Sequence, residues 1–245
     1  MLFRSFQVYL TAYPRAGSVF DLDALELHTF DPGALVWTGQ GTAEVIDPLR
    51  KPFALLRAVR SGVGTWTDKI RVLLLRQQLA TRSVEEIFSG DAMTTAEALR
   101  YRGFSRGFQR NFLRPFLSGI FLDPALETSS RMFEFVFQMF ATGYASVPAA
   151  GMGSLPEQLA ARLPADAIRL RTEVSGIETV DGQVAVDCGG ETLLARNVIV
   201  ATRGIKIPGH AVAFPQWRSA ITLSYDAARS PLGRPVLMVN GSGQG

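Results

Sequence analysis

Two histidines, one cysteine, three glycine clusters and a run of phenylalanines are where this 245-residue sequence could do chemistry. Most familiar arrangements are missing. His28 and His210 are far apart, with no cysteine or carboxylate at ligand spacing, and a structural zinc site needs four ligands. No metal site is expected. No Gly-x-Ser-x-Gly elbow and no P-loop occur, so nucleophilic catalysis and P-loop phosphate binding have no warrant here. The clusters Gly39-Gln40-Gly41, Gly151-Met152-Gly153 and Gly189-Gly190 fail the Gly-x-Gly-x-x-Gly pattern of a dinucleotide turn. Cys188 stands alone, which excludes an internal disulfide. It closes a Val-Asp-Cys-Gly-Gly strand end, where a buried thiol is the ordinary expectation. No catalytic acid or base is identified.

The aromatic residues are more informative. Phe112, Phe116, Phe121, Phe133, Phe137 and Phe140 fit the wall of an apolar substrate pocket. The same residues at helical spacing also fit an ordinary core, and the sequence leaves both readings open. Arg100, Arg102, Arg106, Arg110 and Arg114 punctuate the same stretch; a solvated face suits them, and a membrane-surface patch is the alternative.

The elements that must position these residues are mostly legible. Phe6 to Leu10 alternates and runs into Tyr13-Pro14, a strand entering a turn. Asp31-Pro32-Gly33 is another turn; Ala34–Trp37 follows, up to the Gly39-Gln40-Gly41 break, and the pair of segments reads as a hairpin. A helix is expected over 68–79, with Ile70, Leu73, Leu74 and Leu75 on its apolar face and Arg71, Arg76, Gln77 and Gln78 toward water. Thr94-Thr95-Ala96-Glu97 is a capping box opening a helix over 96–102 that stops at Gly103. Ser130 to Thr142 is helical and apolar nearly all round, ending at Gly143, so it is buried or faces an apolar cavity. Ser154-Leu155-Pro156-Glu157 reads as a second capping box before a helix over 155–163. Strands over 173–180 and 183–188 join through Asp181-Gly182, a type I′ hairpin signal because both central residues need φ > 0. Asn197 to Thr202 is a short β-branched run of the sort buried in a sheet with covered faces. A last strand pair is expected over 219–225 and 236–240.

Composition sets the broad class. Apolar residues make up 47% and charged ones 19%, enough for a core and against disorder. The formal charge is only +3, and no run of five or six like charges occurs, so no nucleic acid partner is expected. No window reaches the ~18 consecutive apolar residues of a membrane span, and the first residues lack the marks of a secretory signal. The expected location is the cytoplasm, with peripheral contact to a membrane left open. Oligomeric state is not legible.

One ordered constellation points further. The segment Asn111 to Pro124 is followed by the Phe-rich helix, then Pro148-Ala149-Ala150-Gly151-Met152-Gly153-Ser154-Leu155-Pro156-Glu157-Gln158-Leu159-Ala160, the hairpin, and Val198-Ile199-Val200-Ala201-Thr202. With the opening Gln7-Val8-Tyr9-Leu10-Thr11-Ala12-Tyr13-Pro14, this order resembles the FAD-dependent amine-oxidase superfamily, particularly its phytoene desaturase and protoporphyrinogen oxidase relatives. The resemblance spans Phe6 to about Asn240. It lacks the family's N-terminal Gly-x-Gly-x-x-Gly unit and its C-terminal Gly-Asp segment, so the chain is read as an internal piece.

The resemblance implies an α/β (α+β) fold: a partial FAD-binding domain with an interleaved, largely helical substrate domain. Residues 1–149 would be substrate-binding, 150–205 part of the FAD-binding domain, and 206–245 a return to the substrate-domain sheet. It implies FAD as cofactor, held weakly or not at all by this chain alone, since the pyrophosphate normally sits on a glycine turn at a helix N-terminus. Val174 is expected at the adenine edge through its backbone, an ordinary core valine being the alternative. Ala201 and Thr202 are expected where a strand end lets the ligand approach, and Gly151, Met152 and Gly153 beside the cofactor or shaping the turn into the helix. Tyr9, Trp217 and Tyr225 could approach the isoalloxazine. The implied activity is flavin-dependent dehydrogenation of an amine or an apolar, polyene- or tetrapyrrole-like small molecule. A silent fragment or a redox-inactive binding module for apolar ligands is the alternative.

Overall fold

The computed structural model of the protein describes residues 8–46, 62–202, 218–223 and 225–242. Phe6, Gln7, His210 and Trp217 lie outside them. The chain divides into two compact units, residues 1–158 with 219–245, and residues 159–218.

In the first unit, β1 (Tyr9–Leu10), α1 (Ala16–Val19) and β2 (Leu27–Thr29) come first. The expected hairpin follows as β3 (Gly33–Trp37) and β4 (Thr42–Ile46), antiparallel across the Gly39-Gln40-Gly41 break. The helices come next: α2 (Trp66–Ala80), α3 (Val84–Ser89), α4 (Thr95–Tyr101), α5 (Arg106–Phe108), a π-helical turn (Gln109–Leu113), α6 (Arg114–Phe121) and α7 (Ser130–Thr142). Then come β5 (Ala145–Pro148) and α8 (Ser154–Ala160). Two three-stranded sheets result. β5 lies between β1 and β2, antiparallel to both. β3 lies between β4 and β9 (Leu237–Asn240), and β9 runs parallel to it.

Local chemistry starts the helices. The Thr94–Glu97 capping box forms as expected, and two more occur, Thr65 with Asp68 and Ser83 with Glu86. Each satisfies two backbone N–H groups that the first turn leaves without helical partners. The second expected box does not form: Ser154 is already helical, and its hydroxyl donates to the Gly151 carbonyl at 2.8 Å while the Glu157 N–H turns to Gly153.

The helices bury one core. Leu75, Leu79, Ile87, Leu99, Phe104, Phe108, Leu113, Leu117, Leu126 and Phe133 are buried together with Val36 of β3 and Val63. The inward face of α2 differs from the expected one. Asp68, Leu75 and Leu79 are buried, while Ile70 and Leu74 stand 52% and 60% exposed. Apolar residues at 70, 72, 73, 74 and 75 spread around the helix and do not choose a face, and the buried carboxylate of Asp68 does. Its oxygens accept from the N–H and hydroxyl of Ser105 (2.7 and 2.6 Å) and from the N–H and hydroxyl of Thr65 (2.7 Å each), tying the start of α2 to the start of α5. Gln138 of α7 makes a second tie, donating to the carbonyls of Leu79 and Arg82 at 2.6 and 2.7 Å.

The second unit holds β6 (Gly176–Val180), β7 (Gln183–Asp187) and β8 (Thr192–Ala195) in one antiparallel sheet. Asp181 and Gly182 sit at φ 48° and 76°, as a type I′ turn requires. Two expectations are corrected. The 173–180 strand begins at Gly176, three residues late, and the 197–202 run is no strand at all. Ile199 is 92% exposed, because a β-branched run becomes a buried strand only between neighbours, and the described residues supply none. The expected strand over 219–225 is likewise absent from its described residues, and β9 pairs with β3 instead.

Candidate functional site

The aromatic residues are arranged by a helix defect. Pro115 has no N–H to give the carbonyl of Asn111, its partner in a regular α-helix. The chain instead widens into the π-turn, where Arg114 donates to the Gln109 carbonyl, five residues back. Phe104, Phe108, Phe112 and Phe116, four apart, therefore line up along one side, with successive ring centroids at 5.8, 5.4 and 5.6 Å. Phe140 of α7 continues the row, 5.4 Å from Phe116.

The row passes from core to surface. Phe104 and Phe108 are buried, whereas Phe112, Phe116 and Phe140 are half-buried. The chain after β9 approaches the turn closely. A side chain at Gly241 would meet the Asn111 carbonyl and a Val36 methyl, so only glycine fits while its N–H bonds the Trp37 carbonyl at 2.8 Å.

The six expected pocket residues thus separate. Phe112, Phe116 and Phe140 form one ring train. Phe133 is fully buried in the core, its ring 5.9 Å from that of Phe137, while Phe137 and Phe121 pack against the core half-buried. A depression of about 200 Å³ lies elsewhere, lined by Arg82, Ile87, Tyr101, Arg102, Ser130 and Glu134 among others. Its guanidinium groups are engaged: Arg82 and Arg102 both pair with Glu134, the former at 2.8 Å.

The expected cofactor residues fall in both units. Gly151, Met152 and Gly153 connect β5 to α8 in the first, with Gly151 at φ 85° and its N–H on the Pro148 carbonyl at 2.8 Å. This is a strand–glycine turn–helix, the topology a pyrophosphate needs, but the N–H groups of the helix start are engaged. The Ser154 and Leu155 N–H groups bond Gly151 and Met152, the Glu157 N–H bonds Gly153, and Pro156 has none. The first turn of α8 therefore turns no free N–H toward a pyrophosphate. Val174, Ala201 and Thr202 lie in the second unit: Val174 half-buried in irregular chain two residues before β6, Ala201 and Thr202 exposed at the end of the irregular 197–202 run.

Of the other aromatic candidates, Tyr225 is exposed and Tyr9 is buried. The Tyr9 hydroxyl has no hydrogen-bond partner among the described residues, and burial raises its pKa. The residues that brace the ring train, Asp68 and Gln138, were not expected from the sequence. The pair Thr65 and Asp68, three apart, was the one available signal for Asp68.

Comparison with known proteins assigns the lineage. The family of flavin-containing amine oxidoreductases matches residues 6–218. No curated protein matches the chain. Among solved structures, a proposed protoporphyrinogen oxidase from Exiguobacterium sp. 255-15 is similar, with 19% identity and a TM-score of 0.48. That similarity covers 84% of this chain and 48% of the other, so the chain spans about half the length of that relative. With mixed helices and small sheets, and a family match over most of its length, the chain belongs to the flavin-containing amine oxidoreductases.

Proposed function

We propose that the chain is the substrate-binding part, and a portion of the FAD-binding part, of an oxidoreductase that dehydrogenates an apolar small molecule or amine. The family match over residues 6–218 carries the reading. The half-buried train Phe112–Phe116–Phe140 supports an apolar substrate, since three rings in contact offer a face that water solvates poorly. Flavin, when bound, supplies the redox chemistry by accepting a hydride equivalent from a C–H or N–H bond. This chain's residues bind and orient: the phenylalanines hold the substrate, while Val174, Ala201 and Thr202 offer backbone to the adenosine side of FAD.

The engaged donors at α8 favour a second reading for the isolated chain, a binding module for apolar ligands without redox activity. Flavin absorbance separates the two. The 245-residue chain is expected to purify without flavin, and the chain extended by the sequence encoded before it to purify yellow and to bleach with substrate. Stoichiometric flavin on the 245-residue chain would overturn the account of α8. A colourless extended protein would overturn the oxidoreductase.

A further inference from the structure

We infer, resting on the reading of the ring train as a substrate wall, that Gly241 is a positioning residue for that wall. It sets the Phe112 ring against Phe116 through the π-turn. Turns of this kind collect at functional sites, and this one is held from the sheet as well as by Pro115.

The hold starts in β9, which pairs with β3 in parallel register, Val36 opposite Val239 and Trp37 opposite Asn240. Gly241 follows at once, its N–H on the Trp37 carbonyl at 2.8 Å. Beyond it, the N–H and hydroxyl of Ser242 both donate to the side-chain oxygen of Asn240, at 3.1 and 2.7 Å. Gly241 is buried and fixed from both sides.

Its bare Cα faces the carbonyl of Asn111 and a methyl of Val36. That carbonyl belongs to the peptide joining Asn111 to Phe112, and a peptide is a rigid plane. Whatever tilts it moves Phe112. Val36 is wholly buried in the core and has little room to give way. A methyl at position 241 would therefore displace the peptide by about 1 Å before reaching ordinary contact distance. The rings of Phe112 and Phe116 lie near-parallel, 14° between planes and 5.6 Å between centroids, and such a displacement breaks that stack. A regular helix is no ready substitute, because Pro115 has no N–H for the Asn111 carbonyl.

The test is fluorescence titration of the neutral apolar dye Nile red against the 245-residue chain, with circular dichroism confirming that each variant is folded. Wild type is expected to bind, and Phe116→Ala to weaken binding about tenfold. Gly241→Ala should weaken it about fivefold in the folded protein. Pro115→Ala returns an N–H to the Asn111 carbonyl and lets a regular helix compete with the π-turn. It should lower dye affinity with no loss of thermal stability, which a merely structural role would not do. If Gly241→Ala does not fold, Pro115→Ala carries the prediction. Dye binding that falls in Phe116→Ala but stays within about twofold of wild type in the deciding variant overturns this inference alone. No binding by wild type, or binding indifferent to Phe116→Ala, overturns the substrate-wall reading and this inference with it.

Discussion

The two units bury their apolar residues very differently. In the first, side chains from six helices, the π-turn and β3 meet in one core, with Leu79, Ile87 and Phe133 wholly enclosed. In the second, Ile177 and Ala185 are the buried apolar residues among those described, while Leu170, Leu194 and Ile199 stand 78%, 61% and 92% exposed. Both units have well-formed local structure. Turn chemistry is enough to make the β6–β7 hairpin, but among the described residues three strands pack no helix of their own unit, which leaves little to bury their apolar side chains. The first unit is held by contacts distant in sequence, whereas the described contacts of the second stay local, the Arg169–Glu191 pair spanning 22 residues.

That contrast predicts where substitutions act. Phe133→Ala should lower stability most, by about 3–5 kcal/mol, because it opens a cavity in a core already filled. The matched change Ile199→Ser should shift the denaturation midpoint of the same protein by less than about 0.5 kcal/mol. Comparable effects of the two would erase the distinction between the units.

Asp68→Asn comes next, at about 2–3 kcal/mol, because an amide offers one acceptor oxygen where four donors now meet two. Burial by itself raises the Asp68 pKa, but the hydrogen bonds from Ser105 and Thr65 together outweigh it, and the net shift is downward. With the folded pKa below the unfolded value, this carboxylate's stabilisation is full above about pH 4. It is lost as pH falls through the lower folded value. Wild type should therefore lose more stability than Asp68→Asn between pH 5 and the acid limit, and parallel pH–stability curves would show that the brace carries no net charge effect.

Gly182→Ala should cost about 1 kcal/mol, since alanine is strained at φ 76°. Its signature is local. Amide exchange should quicken across β6 and β7 and stay unchanged in α2 and α7; a loss of protection in α7 would mean the units are more coupled than their cores suggest.

What the sequence determined by itself was whatever a few neighbouring residues can decide. The Thr94–Glu97 box, the ends of α7 and the Asp181-Gly182 turn all rest on partners within four residues, so their chemistry is complete in the sequence. The order of motifs was equally legible, and it carried the family. Tertiary structure alone decided the rest. It placed β9 beside β3 and set Arg234 on both Asp31 and Glu44, pairings spanning about two hundred residues that no local pattern encodes. It turned Asp68 inward and left Ile70 and Leu74 outside, because the face a helix buries depends on the groups its neighbours offer. It also left Val198 to Thr202 outside the strands of the described residues, because a strand is a property of at least two segments, and a sequence shows them one at a time.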